Sequence, residues 1–342
     1  MNGAVARAWS GVPALRFTPA RAAVLLLLLA AGAAAAFLAS ALLGEFPLSL
    51  GQALSDPASA DGTVLLRLRI PRALLGMIVG AALAAAGSAL QGLLKNPLAD
   101  PFVLGVSGGA ALGATVALAL GLTALVGPSV FAFVGSVVAM GLVLAVGRAR
   151  GSPYAALLTG VVFNAFAAAA ITCIKTLVSP DRVGEILYWL AGSLGYEPPA
   201  TLAGAALLQC ACLGVLWHQS GRLNLLSLGD DEAASLGVPV NRARSTILLA
   251  ASLGVAGAVA LSGLVGFVGL IVPHVLRLWL GPDQRLLVPA SALGGGAFLV
   301  LSDLLTRLLF PLLHAELPVG VVTAVLGGPL FLWLLRREGV RG

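Results

Sequence analysis

Charged residues are scarce in this chain, and so are the sequence signals of an enzyme. Only 10% of the 342 residues are charged, and the only lysines are Lys95 and Lys175. The sequence therefore has no Gly-Lys-Ser or Gly-Lys-Thr loop for phosphate, so any ATP hydrolysis must occur on another chain. His-Glu-x-x-His is also missing, and the three cysteines lack the spacing of a zinc site or a disulfide framework. We expect no catalytic residue, metal ligand or bound cofactor in this chain.

Apolar residues dominate instead. They make up 59% of the chain, and the mean hydropathy is +1.02, which is typical of a polytopic helical membrane protein. In lipid, an apolar run of about 20 residues satisfies its backbone hydrogen bonds only as a helix. The sequence predicts an all-α protein with one transmembrane domain over residues 1–342 and an amino-terminal tail over about residues 1–21. About ten spans are expected, near residues 22–43, 72–93, 103–122, 129–146, 154–176, 200–217, 245–261, 266–280, 288–308 and 318–335.

The basic residues test this number of spans. Ten spans put both termini on one side, and a cytoplasmic amino terminus then places 14 of the 20 basic residues inside, as the positive-inside rule requires. The first span is longer than the apolar core of a signal peptide, so we expect it to be retained. The net charge of +6 mostly reflects this orientation and gives no reason to expect nucleic acid as a partner.

Six basic residues break the rule and fall outside. Basic residues on that face favour an acidic docking partner, but they equally suit helix ends whose side chains reach lipid phosphates. The residues themselves leave these two interpretations about even. The outside residues are Arg67, Arg69, Arg72, Lys175, Arg182 and Arg307.

A segment near residues 221–244 is the largest predicted loop on the inner side. Asp230, Asp231 and Glu232 suit the positive end of a helix dipole, Gly237 suits a left-handed cap, and Pro239 prevents continuation. The pattern predicts a short, capped cytoplasmic helix. It could be a handle for a cytosolic partner or a simple surface helix.

One motif resembles that of a catalytic site. Residues 105–109 fit Gly-x-Ser-x-Gly, like the nucleophile motif of rhomboid-type intramembrane proteases, with Ser107 as nucleophile and His274 as a possible base. However, small residues recur every four positions from Gly105 to Gly121, which favours close helix packing over catalysis. An ion-coupled secondary transporter is a further alternative, although it would need ionisable residues within the membrane.

Several long motifs follow one another from the second predicted span to the carboxyl terminus. They are Arg69-Ile-Pro-Arg72, the glycine- and alanine-rich run 80–92, Asn96-Pro-Leu-Ala-Asp-Pro101, Leu104-Gly-Val-Ser-Gly-Gly109, Gly266-Phe-Val-Gly-Leu-Ile-Val-Pro-His274 and Glu316-Leu-Pro-Val-Gly-Val-Val-Thr323. In this order they resemble motifs of the permease subunits of bacterial ABC importers for iron-siderophores, haem and cobalamin, the FecCD-type family.

The resemblance implies a type II ABC importer permease fold in the bacterial inner membrane. It implies a homodimer, two cytosolic ATPase subunits that bind ATP and Mg²⁺, and a periplasmic binding protein. Arg69, Arg72 and Arg307 would dock that protein, and Asn96 and Pro97 would belong to the cytoplasmic gate. Asn164 and Phe166 would line the pathway. The coupling residues would be Leu228, Gly229, Asp230, Asp231, Glu232, Ala233, Ala234, Leu236 and Gly237.

Overall fold

The protein is a helical bundle in the computed structural model, which describes residues 19–122, 127–150 and 153–339. Most of the predicted tail therefore lies outside the described residues. In chain order the α-helices are α1 (Pro19–Leu42), α2 (Leu50–Ser55), α3 (Ala60–Thr63), α4 (Ile70–Leu93), α5 (Val106–Ala119), α6 (Gly127–Arg150), α7 (Pro153–Leu177), α8 (Pro180–Ala191), α9 (Pro199–His218), α10 (Ser220–Leu228), α11 (Asp230–Ser235), α12 (Val240–Ser262), α13 (Val268–Leu280), α14 (Gln284–Leu313) and α15 (Val319–Gly339).

The helices account for all ten predicted spans. Within the described ranges, seven helical stretches are long and apolar enough to cross a membrane, and three shorter apolar helices, α5, α13 and α15, complete the series. Each falls on one predicted span, in order. The prediction of an all-α, multi-span membrane protein is confirmed, and α8 is a further short helix between two of the spans.

The second span begins close to its predicted start, with α4 at Ile70, but helical structure also continues upstream of it. It runs through a π-helical turn, Val64–Arg69, into α3, and this extension was not predicted from the sequence. The Ile70 amide donates to the Leu65 carbonyl, five residues back, in the wider π-helical pattern. The helix therefore enters Pro71 without a break.

The centre of the bundle is formed by α4 and α12, the most buried of the long spans, whereas α1 and α7 are the most exposed. Glycines let α4 touch its neighbours backbone to backbone. A Cβ on Gly80 would collide with the Gly295 carbonyl of α14, and a Cβ on Gly87 would collide with the Gly269 carbonyl of α13. Small residues of the run 80–92 therefore allow close contact between helices.

We predict that Gly80→Ala lowers the stability of the purified protein in detergent. The added methyl group has no room beside Gly295, so α4 and α14 must separate, at a cost of about 1–3 kcal/mol. A lower midpoint of thermal unfolding would report this loss.

Gly214→Ala in α9 is the matched control, because nothing lies within 4 Å of a Cβ at that position. It should leave the midpoint unchanged or raise it, since alanine favours helix over glycine by roughly 0.5–1 kcal/mol. Equal midpoints for the two variants would contradict close packing at Gly80.

Candidate functional site

The predicted functional residues lie at two opposite ends of an antiparallel helix pair, α4 and α14. At one end, Arg72 in the first turn of α4 pairs with Asp303 of α14. At the other end, a Cβ on Gly92 of α4 would lie 2.8 Å from Nε2 of Gln284, the first residue of α14. We call these the arginine end and the coupling end.

Asp303 is the centre of the arginine end. It is only 1% exposed. Arg72 donates two hydrogen bonds to Oδ1 of its carboxylate, from Nε at 3.0 Å and from Nη2 at 2.8 Å. The remaining Arg72 nitrogen, Nη1, donates to Glu316 at 2.7 Å, in the segment before α15. Arg307 Nε lies 3.3 Å from the second Asp303 oxygen. A buried carboxylate thus has two cationic partners, as burial of a charge requires.

Arg69 and Arg307 also attach α1 and the segment that follows it. Arg307 Nη2 donates to the carbonyl and hydroxyl of Ser40, and Arg69 donates to the carbonyls of Leu42 and Phe46. Both arginines are buried. The three arginines predicted to dock a partner therefore cluster at one end, but their guanidinium groups already bind this chain. Docking by them stays a prediction.

The predicted gate is a compact, exposed turn after α4. Lys95 adopts a left-handed conformation, with φ of +51°, and the Asn96 amide donates to the Gln91 carbonyl at 3.1 Å, which ends the helix. The Asn96 side chain accepts from the Leu98 amide, and the Asp100 side chain accepts from the Phe102 amide. Burial raises the pKa of Asp100, although the Phe102 amide opposes this shift. These local bonds give the turn a defined shape.

The two predicted pathway residues differ in their surroundings. Asn164 of α7 braces the chain that follows the gate turn: its Nδ2 donates to the Phe102 carbonyl at 3.0 Å and its Oδ1 accepts from the Gly108 amide at 3.2 Å. Sequence reasoning missed this bracing role. Phe166 is 61% exposed, so its ring is available to a pathway or a partner. A pathway role for either residue stays a prediction.

Ser107 lies in a packing helix. Its hydroxyl donates to the Phe102 carbonyl at 3.1 Å, and its side chain is buried. Further along the same helix, a Cβ on Gly109 would collide with the Gly135 carbonyl of α6, and a Cβ on Gly113 would collide with the Phe131 carbonyl. The small-residue stripe thus brings α5 and α6 into backbone contact, which supports packing over catalysis.

The segment near residues 221–244, which we call the coupling segment, contains two short helices, α10 and α11, and α11 corresponds to the capped helix that the sequence predicts. Gly229 separates α10 from α11, because its extended backbone breaks the helical path. The predicted caps are present: three acidic residues open α11, and Gly237 has φ of +82° with its amide bonded to the Ala234 carbonyl at 2.9 Å. Leu228 and Leu236 are 67% and 62% exposed. The segment therefore presents apolar and acidic side chains together.

This segment is braced on two sides. Arg244 of α12 binds both oxygens of Asp230 at 2.7 and 2.8 Å. On the other side, Asn224 of α10 donates to Asp283 at 2.7 Å and accepts from the Gln284 amide at 2.9 Å. Displacement of α10 and α11 would therefore pull on the first turns of both α12 and α14.

The comparison with protein families identifies the chain. Residues 27–337 match the model of the FecCD transport family. The chain belongs to the FecCD transport family. A relative of this chain, the hemin transport system permease protein HmuU of Yersinia pestis, is 40% identical over 311 residues, covering 88% of this chain and 92% of the relative.

Two further relatives extend this result. The cobalamin import system permease protein BtuC of Halobacterium salinarum is 41% identical over 275 residues, covering 80% of this chain and 73% of the relative. A solved structure described as an inward-facing metal-chelate type ABC transporter superposes with a TM-score of 0.81 at 31% identity, covering 92% of this chain and 99% of that one. The expected ABC importer permease fold is confirmed.

We predict that Asp303→Asn strongly destabilises the protein. It keeps the side-chain volume but leaves Arg72 and Arg307 without their shared buried anion, and breaking a buried pair this way costs about 3–5 kcal/mol. Thermal unfolding of the purified protein should show a clear drop in the midpoint.

Glu316→Gln is the control in the same cluster. Glu316 is 46% exposed, and an exposed ion pair contributes only about 0–1 kcal/mol. If both substitutions shifted the midpoint by the same small amount, Asp303 would not organise the arginine end.

Proposed function

We propose that this chain is the membrane-spanning permease subunit of an ATP-driven importer for an iron-siderophore, haem or cobalamin. Membership of the FecCD transport family supports the class, and the braced, exposed coupling segment is the geometric observation that carries the mechanism. ATP and Mg²⁺ would be bound by two separate cytosolic ATPase subunits. The protein would lie in the bacterial inner membrane with both termini in the cytoplasm.

The coupling segment is suited to contact with an ATPase. Leu228 and Leu236 offer exposed apolar anchors, and Asp231 and Glu232 add exposed negative charge beside them. Because Arg244 and Asn224 fix the segment to α12 and α14, a push on α11 would reach two spanning helices. Closure of the ATPase dimer on ATP would then favour one packing of the bundle over another.

An iron-siderophore, haem or cobalamin would need more space than either of two apolar cavities among the described residues. One, between α4, α9 and α12, has a volume of about 200 Å³ and is lined by residues such as Met77, Gln209 and Gly254; the other, against α14 and α15, has about 330 Å³. Sites for drug-sized ligands measure roughly 300–1,000 Å³, so these cavities lie below or at the lower end of that range. We therefore place the pathway between two copies of the chain, with Phe166 on the exposed face of α7 as a lining residue.

At the outer face, a periplasmic binding protein would deliver the cargo to the arginine end. Arg72 is the docking candidate, because its side chain is 21% exposed and its Nη1 already binds the exposed carboxylate of Glu316. A carboxylate of the binding protein could take over that position. Arg69 and Arg307 would act mainly by holding Arg72 and α1 in place.

The function is tested by reconstitution of the chain with its partner ATPase and periplasmic binding protein. Proteoliposomes should accumulate the cargo that the purified binding protein selects, and accumulation should require ATP. Uptake that persisted without ATP or without the ATPase subunit would instead favour an ion-coupled transporter.

We predict that Leu236→Asp abolishes ATPase attachment while leaving the fold intact. The side chain is exposed, so the substitution removes an apolar anchor for the partner without disturbing the core. Co-purification of the ATPase with the permease should fall at least tenfold, with an unchanged thermal midpoint.

Leu54→Asp is the matched control, because Leu54 is 72% exposed but belongs to α2, which precedes the arginine end. It should leave ATPase co-purification unaffected. Undiminished attachment of the Leu236→Asp variant would remove α11 from the proposed ATPase contact.

A further inference from the structure

A proline interrupts the hydrogen bonding of α13 where this helix meets α4. Pro273 lies inside the helix and has no N–H, so the Gly269 carbonyl, four residues earlier, loses its usual donor. Such a carbonyl in a membrane helix needs a partner from a neighbouring element.

Gln91 of α4 places a donor beside that carbonyl and the next one, with the shorter hydrogen bond to the next, that of Leu270. Its side chain is fully buried, and its Nε2 lies 3.1 Å from the Leu270 carbonyl and 3.4 Å from the Gly269 carbonyl. The reversed amide would aim an oxygen at two carbonyl oxygens, which repel it, so the nitrogen must face α13. The Gln91 oxygen has no hydrogen-bond partner among the described residues. Capping α13 therefore accounts for a buried amide at this position.

The same residue also ends α4 and begins the gate turn. The Gln91 carbonyl accepts from the Asn96 amide at 3.1 Å, across the left-handed Lys95. The main chain of Gln91 thus binds the turn, while its side chain binds α13. One residue joins the two elements through different atoms.

The residues around this junction are closely packed, so α13 has little room to move there. A Cβ on Gly87, one turn before Gln91, would collide with the Gly269 carbonyl. A Cβ on Gly269 would lie 2.8 Å from the Pro101 ring, at the far end of the gate turn. Gly269 therefore lies in close contact with both α4 and the segment that follows the turn. A shift of α13 would displace both of them.

We propose that Gln91 is a positioning residue that ties the gate turn to the proline-interrupted part of α13. Movement of α13 at Pro273 would then be transmitted to Asn96 and Pro97 through the buried Gln91 side chain, in addition to the backbone contacts of Gly269. The assignment of this movement to opening of an inner gate rests on the proposed function. The hydrogen-bonded junction itself does not, and it can be tested on the purified chain.

Gln91→Leu removes the donor and keeps a side chain of similar size. Hydrogen–deuterium exchange of the purified protein should become about 3- to 10-fold faster in peptides that cover residues 94–100 and 268–276, because each segment loses its tie to the other. No ATPase, binding protein or cargo is needed. Failure of the transport proposal would therefore leave this measurement interpretable.

Gln209→Leu is the matched control. Gln209 is another buried glutamine that donates across a helix contact, to the Gly254 carbonyl at 2.9 Å, but residue 258 of α12 is an alanine that keeps its N–H. This variant should leave exchange in both test segments at the parental rate. Unchanged exchange in the Gln91→Leu variant, or equal acceleration by the two variants, would overturn the proposal.

A second-site substitution tests the role of the proline directly. Pro273→Ala restores an N–H that can bind the Gly269 carbonyl, so the side chain of Gln91 should matter less. The acceleration caused by Gln91→Leu should then be smaller in the Pro273→Ala background than in the parent protein. Equal acceleration in both backgrounds would show that Gln91 does not act by capping the break.

Discussion

Backbone contact along α4 is the constraint on which the rest of the bundle depends. Carbonyl groups of α13 and α14 occupy the positions where Cβ atoms of Gly87 and Gly80 would lie. Lipid gives no hydrophobic drive for helices to associate, so close packing and interhelical hydrogen bonds must supply it. This contact also brings the buried polar groups within reach: Ser88 donates to Gln284 at 2.9 Å, and Gln91 reaches Leu270.

The charged groups at the arginine end are likewise paired with each other and with nearby polar groups. Asp303 is buried, and a lone carboxylate at that position would be very costly. Arg72 and Arg307 neutralise it, and their remaining nitrogens bind Glu316, Ser40 and Leu43. Residues that seemed free to dock a partner are therefore also structural. In the proposed transporter, a docking carboxylate would not meet an isolated arginine but would compete within an existing network.

Local sequence signals predicted the helices and the caps of α11, because hydropathy, proline and glycine act over a few residues. The π-helical turn before α4 was not predicted, because hydropathy and proline do not mark it. Contacts between residues that are far apart in the sequence could not be predicted from these local patterns. Arg72 and Asp303 are 231 residues apart, and the bonds of Asn164 to Phe102 and Gly108 depend on how α7 packs.

The two ends of the molecule are joined by α14. At one end it carries Asp303 and Arg307, and at the other Asp283 and Gln284 anchor α10. A 30-residue helix is roughly 45 Å long, enough to cross a bilayer. Gly295 holds its middle against Gly80, so this part cannot slide without disturbing α4. In the proposed transport cycle, α4 and α14 would therefore move as a unit, and the change in shape would fall on elements around them. The interruption at Pro273, beside Gln91, is such an element.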